Sequence, residues 1–177
     1  ADTAMYSAKN AGRNQYQFYK DEMTSEIFEK IIMKQEITDA IKNNEFEVYY
    51  QPQIDIKTNK IIGAEALLRW NHKNLGLIPP NEFIIHAEET KLIIPLGEYV
   101  LKTACSFMKE LQDKKILENA KVSVNISPVQ LKYSDIYKMV VDNLKITNLD
   151  PSFLELELTE TFIMENVEES ILILNNL

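Results

Sequence analysis

I-I-G-A-E-A-L-L-R-W, Ile61–Trp70, is an apolar strand with a glutamate and an arginine set into it. Strand side chains alternate between faces, so Ile62, Ala64, Ala66 and Leu68 point one way and Gly63, Glu65, Leu67 and Arg69 the other. An acid and a base on one face of an apolar strand are costly to bury unless they pair or bind something. This segment alone leaves two readings open, a structural Glu65–Arg69 ion pair and a ligand site.

Two more strands repeat the pattern. In K-V-S-V-N-I-S, Lys121–Ser127, the residues Val122, Val124 and Ile126 alternate with Ser123, Asn125 and Ser127. In F-L-E-L-E-L-T, Phe153–Thr159, Leu154, Leu156 and Leu158 alternate with Glu155, Glu157 and Thr159. Each strand has one greasy face and one that turns polar or acidic, and each precedes a helical pattern. That suits a β/α barrel of the TIM type, whose outward residues pack on helices while inward polar ones approach the C-terminal mouth. Glu65, Asn125 and Glu157 would then be oxygen ligands on three strands, a set suited to magnesium or manganese rather than zinc.

E-A-L-L-R at Glu65–Arg69 resembles the signature of EAL domains, phosphodiesterases of the bacterial second messenger cyclic diguanylate (c-di-GMP). Y-Q-P at Tyr50–Pro52, P-P-N-E-F-I at Pro79–Ile84, V-N-I-S at Val124–Ser127, P-V-Q-L at Pro128–Leu131 and E-L-T-E at Glu157–Glu160 follow in the family's order. The resemblance implies a two-metal enzyme that opens c-di-GMP to linear pGpG by attack of a metal-bound water. It makes Glu65, Asn125 and Glu157 both catalytic residues and metal ligands for Mg2+ or Mn2+. Gln51, Leu67 and Arg69 match substrate-binding positions, where an arginine fork suits a phosphodiester and a glutamine offers both donor and acceptor. Glu160 matches a position that steadies a ligand-bearing loop. Singly, Asn125 could close a strand by an Asx-type turn and Glu157 could be a solvated strand residue.

The chain has 177 residues, 45% of them apolar, enough for a packed core, and a formal charge of −8. Such an acidic balance argues against binding DNA or RNA duplexes, which calls for a basic patch. No apolar run nears the roughly 20 residues that span a bilayer, and no signal peptide is visible at the start. The single cysteine, Cys105, cannot form an internal disulfide and fits a reducing cytoplasm. It lies beside an apolar helical stripe, as buried filler. His72 and His86 are too few and too isolated for a zinc site, and Tyr49, Tyr50, Trp70 and Phe107 read as packing residues.

Residues 1–21, with A-M-Y-S-A-K and G-R-N-Q-Y, resemble the C-terminal tail of a GGDEF domain, the diguanylate cyclase module that often precedes an EAL domain. They read as a helix stopped by Gly12, then a strand over Gln15–Tyr19. Residues 22–44 form a linker or first helix, with Ile27, Ile31, Ile37 and Ile41 at helical spacing. Residues 45–177 are the EAL segment. Strand Val48–Ile56 meets Ile61–Trp70 through the K-T-N-K turn, making the first pair antiparallel. Helices follow at Asn81–Glu89, after Pro95 with a stripe through Leu96, Val100, Ala104, Phe107, Met108 and Leu111, and at Asp135–Lys145. A last helix is expected at Asn166 onward, carrying Val167, Ile171 and Leu174.

A complete barrel takes roughly 250 residues, so about half of one is expected here, and a fragment that is inactive alone. The family's D-D-F-G-T-G loop, catalytic lysine and further glutamate have no counterpart in this sequence. The expected partners are c-di-GMP, the rest of the EAL domain, upstream GGDEF or sensory modules, and a second copy across the exposed edges. The rival reading is a degenerate EAL domain that serves as a non-catalytic c-di-GMP receptor or a dimerisation module.

Overall fold

The expected antiparallel pair is the first feature of the computed structural model, which describes residues 21–117 and 119–158. Strand β1 (Phe46–Asp55) and strand β2 (Lys60–His72) form a hairpin that pairs Gln51 with Glu65 and Glu47 with Arg69. The Asp55 carboxylate closes the turn by accepting from the Thr58 amide and hydroxyl at 2.7 and 2.8 Å. Asn59 takes the positive φ of 54° that so tight a reversal needs.

Beyond the hairpin the chain alternates helix and strand. A helix α1 (Asp21–Lys42) precedes it, and a short strand β3 (Gly76–Ile78) turns back along the end of β2. Helices α2 (Pro80–Glu89) and α3 (Ile93–Asp113) lead to strand β4 (Lys121–Asn125). Helices α4 (Pro128–Tyr133) and α5 (Ile136–Thr147) and a 3-10 turn (Pro151–Phe153) lead to strand β5 (Leu154–Glu157). The described sheet runs β1-β2-β4-β5, with β2, β4 and β5 parallel. This is an α/β fold on a mixed sheet.

Alternation along β2 decides which way the core lies. Ala66, Leu68 and Trp70 are buried under the helices, together with Val122 and Val124 of β4. Phe83 and Ala87, one helical turn apart on α2, meet them, as does the α3 stripe of Leu96, Val100, Ala104 and Met108. Pro80 opens α2 at its first position, where the missing N–H costs nothing. Helix α3 begins two residues before Pro95, because the first-turn amides of a helix have no intrahelical acceptor to lose. Asp135 caps α5 through the Lys138 amide at 2.9 Å, and Asn148 ends it in the left-handed conformation.

Several boundaries differ from expectation. The strand expected over Lys121–Ser127 ends at Asn125, because Ser127 becomes the N-cap of α4, a helix the alternation of polar and apolar residues did not announce. The stripe expected along α1 divides. Ile37 is fully buried and Ile41 packs against the core, but Ile31 is exposed along with Phe28 and Ile32. Six residues turn the helix through about 600°, which places Ile31 well away from the face of Ile37. The expected tail over 1–20, the strand at Gln15–Tyr19, residues Thr159 and Glu160 and the last helix lie outside the described residues.

Candidate functional site

The face of the sheet turned away from the helices carries the polar residues. From β1 it receives Gln51 and Gln53, from β2 Glu65, Leu67 and Arg69, from β4 Ser123 and Asn125, and from β5 Glu155 and Glu157. Register brings them together: Gln51 lies opposite Glu65, and Gln53 opposite Gly63. Glu65 pairs with Ser123, Ser123 with Glu155, and Asn125 with Glu157. Strands β4 and β5 end in step, so Asn125 and Glu157 stand at their C-terminal ends, with Glu65 reaching toward them from within β2. The Asn125 carboxamide Nδ2 donates to Glu65 Oε1 at 2.6 Å.

Arg69 is arranged differently from a partner of Glu65. No ion pair joins the two among the described residues. Four residues along a strand separate the two Cα atoms by about 13 Å, and strand side chains stand roughly perpendicular to the sheet rather than along it. The guanidinium Nη1 donates to the Leu68 carbonyl at 2.9 Å and lies 5.7 Å from the Tyr49 ring centroid. The structural ion pair is therefore set aside. Leu67 and Arg69 are half-buried while Gln51 is exposed, so the upper part of this face is open to solvent.

Below the ligand-type residues the face closes. Ser123 is 1% exposed, and Gln53 Nε2 approaches its Oγ at 3.5 Å. Gly63 makes room for this contact: a Cβ there would fall 2.6 Å from Gln53 Oε1 and 2.9 Å from the Lys121 carbonyl. Lys121 and Glu155 stand 3.9 Å apart across neighbouring strands. Gln53 and Ser123 were not singled out from the sequence; the signal for Gln53 is its spacing of two from Gln51 along a strand, which sets both glutamines on one face.

The other titratable residues sort themselves by environment. Burial pushes the Cys105 thiol up to about 11, which suits filler and not a nucleophile. His72 accepts the amides of Asn74 and Leu75 on Nδ1 at 3.2 and 3.1 Å, a turn-closing role. No cluster of three or more His, Cys, Asp or Glu able to hold a metal exists among the described residues. Tyr50 stacks on Phe107 at 3.8 Å, packing as expected. An open cleft of about 330 Å³ is lined by Ser106, Lys109, Glu110, Asp113, Lys114 and Thr147, and shares no residue with the polar sheet face. Its charged groups already pair as Lys109–Asp113 and Lys114–Glu110.

Comparison with known proteins shows what the chain resembles. The family model described as EAL domain matches residues 34–177. The bifunctional diguanylate cyclase/cyclic di-GMP phosphodiesterase MucR of Pseudomonas aeruginosa is 36% identical over 177 residues, covering 100% of this chain and 26% of that protein. The cyclic di-GMP phosphodiesterase PdeR of Escherichia coli is 38% identical over 168 residues, 95% of this chain and 25% of that protein. The chain thus spans about a quarter of the length of these relatives. Among solved structures, the PaMucR phosphodiesterase in its c-di-GMP complex matches with a TM-score of 0.78 and 34% identity, over 81% of this chain and 58% of that one. No helix among the described residues is long and apolar enough to cross a membrane. With the family match running from within α1 through every described strand, the chain belongs to the EAL domain family.

Proposed function

We propose that this chain is part of a cyclic-di-GMP-specific phosphodiesterase and that Glu65, Asn125 and Glu157 hold its divalent cation, Mg2+ or Mn2+. The observation that carries the reading is the 2.6 Å contact of Asn125 with Glu65, with Glu157 in register beside Asn125. The donors fit a hard cation: two carboxylates and an amide oxygen, from three strands, without sulfur or imidazole. Three such oxygens do not complete a six-coordinate shell, and the positions left over suit water, phosphate and further ligands. When bound, the cation would polarise the phosphodiester and lower the pKa of a coordinated water.

The chain's own residues supply binding and orientation. Arg69 holds a non-bridging phosphate oxygen, its planar fork steadied by the Leu68 carbonyl and the Tyr49 ring. Gln51, exposed opposite Glu65, donates and accepts at a guanine edge or a phosphate oxygen. Leu67 gives the substrate an apolar contact between them, and Glu160 steadies a loop that brings further ligands. The reaction adds water across one phosphodiester of c-di-GMP and leaves linear pGpG.

We also infer a TIM-barrel-like closure of the sheet, with about half of the barrel within this chain. Coverage of 58% of the PaMucR phosphodiesterase chain supports that division. On this reading residues 1–21 are the tail of a GGDEF domain, 22–44 the linker helix and 45–177 the EAL segment. The 177-residue chain alone is then inactive, in a cytoplasmic protein that works as a homodimer.

The test is hydrolysis of c-di-GMP with Mg2+ or Mn2+ by a protein spanning the full length of the EAL relatives, beside the 177-residue chain. Linear pGpG from the long protein, its loss in Glu65→Ala, and none from the short chain are expected. Full activity in Glu65→Ala would remove the metal assignment. Binding of c-di-GMP without any hydrolysis by the long protein would make the domain a receptor.

A further inference from the structure

Glu88 sits in the last turn of α2, where a helix disfavours a carboxylate because its final carbonyls carry the negative end of the dipole. What it meets there is Ser127, whose Oγ donates to Glu88 Oε1 at 2.7 Å. Ser127 is also the N-cap of α4. Its Oγ accepts from the Val129 amide at 3.1 Å, and its own amide donates to Gln130 Oε1 at 3.0 Å. Gln130 is 1% exposed, and its carboxamide fills the space that Gly97 of α3 leaves open. A Cβ at Gly97 would fall 2.1 Å from the Gln130 Nε2.

One run of contacts therefore leads from α2 through Ser127 into α4 and α3, and it grips the backbone two residues beyond Asn125. From the other side the Ile126 amide donates to the Glu157 carbonyl at 2.9 Å. The peptide between Asn125 and Ser127 is pinned by α2 on one flank and by β5 on the other. The Asn125 side chain is short, with two rotatable bonds, so a displacement of this strand end moves its amide by a similar amount.

We propose that Glu88 and Ser127, backed by Gln130, are positioning residues that keep the Asn125 carboxamide in line with Glu65 and Glu157. This rests on the metal-holding role proposed above for those three residues. Glu88 and Ser127 act through the Ile126–Ser127 backbone. The role accounts for the S-P-V-Q run at Ser127–Gln130 and for the end of α2, neither of which belongs to the ligand set.

The experiment uses the whole 177-residue chain and two readouts. One is Mn2+ binding, followed by the electron paramagnetic resonance signal of free Mn2+. The other is hydrogen exchange at the Ile126 amide. Glu88→Ala and Ser127→Ala are expected to weaken Mn2+ binding by about tenfold or more and to speed exchange at Ile126, with β2 core amides still protected. Glu88→Gln keeps an acceptor and Ser127→Thr keeps a hydroxyl, so both should restore the native values. Native Mn2+ affinity in Glu88→Ala and Ser127→Ala, with none in Glu65→Ala, overturns the positioning role and leaves the ligand set standing. Unchanged affinity in Glu65→Ala counts against the ligand set instead, and no affinity in the native chain shows that the further ligands are needed for binding. Exchange at Ile126 then decides the positioning role: protection unchanged in the alanine variants overturns it, and protection lost there but regained in Glu88→Gln and Ser127→Thr supports it.

Discussion

Trp70 is fully buried at the end of β2, its ring 5.4 Å from Phe46 and edge-on to Phe83 at 5.7 Å. Its indole N–H donates to Glu45 Oε2 at 3.1 Å, so the ring is satisfied as well as packed. Trp70→Ala should cost about 3–5 kcal/mol, read from the shift of the urea midpoint at constant slope. Two other residues weaken stability at alkaline pH. Burial pushes the Cys105 thiol up to about 11 from an ordinary 9.0, and desolvation also raises the half-buried Tyr50 phenol above its usual range. Between pH 9 and 11 the unfolded thiol has lost its proton while the folded one keeps it. The unfolded chain therefore binds fewer protons, and stability falls as pH rises through that window. Urea unfolding across it should show a negative slope that flattens in Cys105→Ala and, at higher pH, in Tyr50→Phe. A native slope in both variants would place the alkaline loss elsewhere. The same burial predicts that Cys105 resists alkylation at neutral pH until the chain unfolds.

The hairpin of β1 and β2 depends on one small residue. Gly63 lets Gln53 and the backbone of β4 come close, and Gly63→Ala forces both to move. A loss of about 1–3 kcal/mol is expected from this overpacking, together with displaced backbone resonances at Gln53, Lys121 and Ser123. Helix α5 is held by local chemistry legible in the sequence, since Asp135 stands just before its first turn. Asp135→Ala should cost about 1 kcal/mol, measurable by thermal unfolding. Helix α4 carried a comparable signature, serine followed three residues on by glutamine with proline between, yet its six residues are too few for a periodicity to show. The split stripe of α1 has the opposite lesson. Isoleucines at plausible spacings were read as one face, but only the burial of Ile37 and Ala40 in the core, where α1 packs on α2, distinguishes the buried side.

Across the whole molecule, β1 pairs with one neighbour among the described residues and leaves its outer edge open. The hairpin tip beside it shows Ile54, Ile56, Ile61 and Ile62 to solvent, with Ile56 97% exposed. Open edges and apolar tips favour association. Sedimentation velocity should show weight-average mass rising with concentration, less so in Ile56→Lys. An unchanged monomer at every concentration in the native chain would dismiss this reading of the tip. The charge of −8 opposes indiscriminate aggregation, so the expected species are small oligomers.

The alternation of Ile61–Trp70, Lys121–Ser127 and Phe153–Thr159 was sufficient, without coordinates, to assign strand faces, though the second and third strands proved shorter, Lys121–Asn125 and Leu154–Glu157. Period-two alternation is a local property of extended backbone, so the primary structure carries it directly. The motifs around Glu65, Asn125 and Glu157 identified the family for the same reason: each is a short contiguous string. What only the tertiary structure decided is which of these strings meet. The parallel register that sets Asn125 beside Glu157, the 2.6 Å contact from Asn125 to Glu65 and the bond from Ser127 to Glu88 join residues distant in the chain. No local pattern encodes such distances, because strand register and helix docking are set by the packing of the core as a whole.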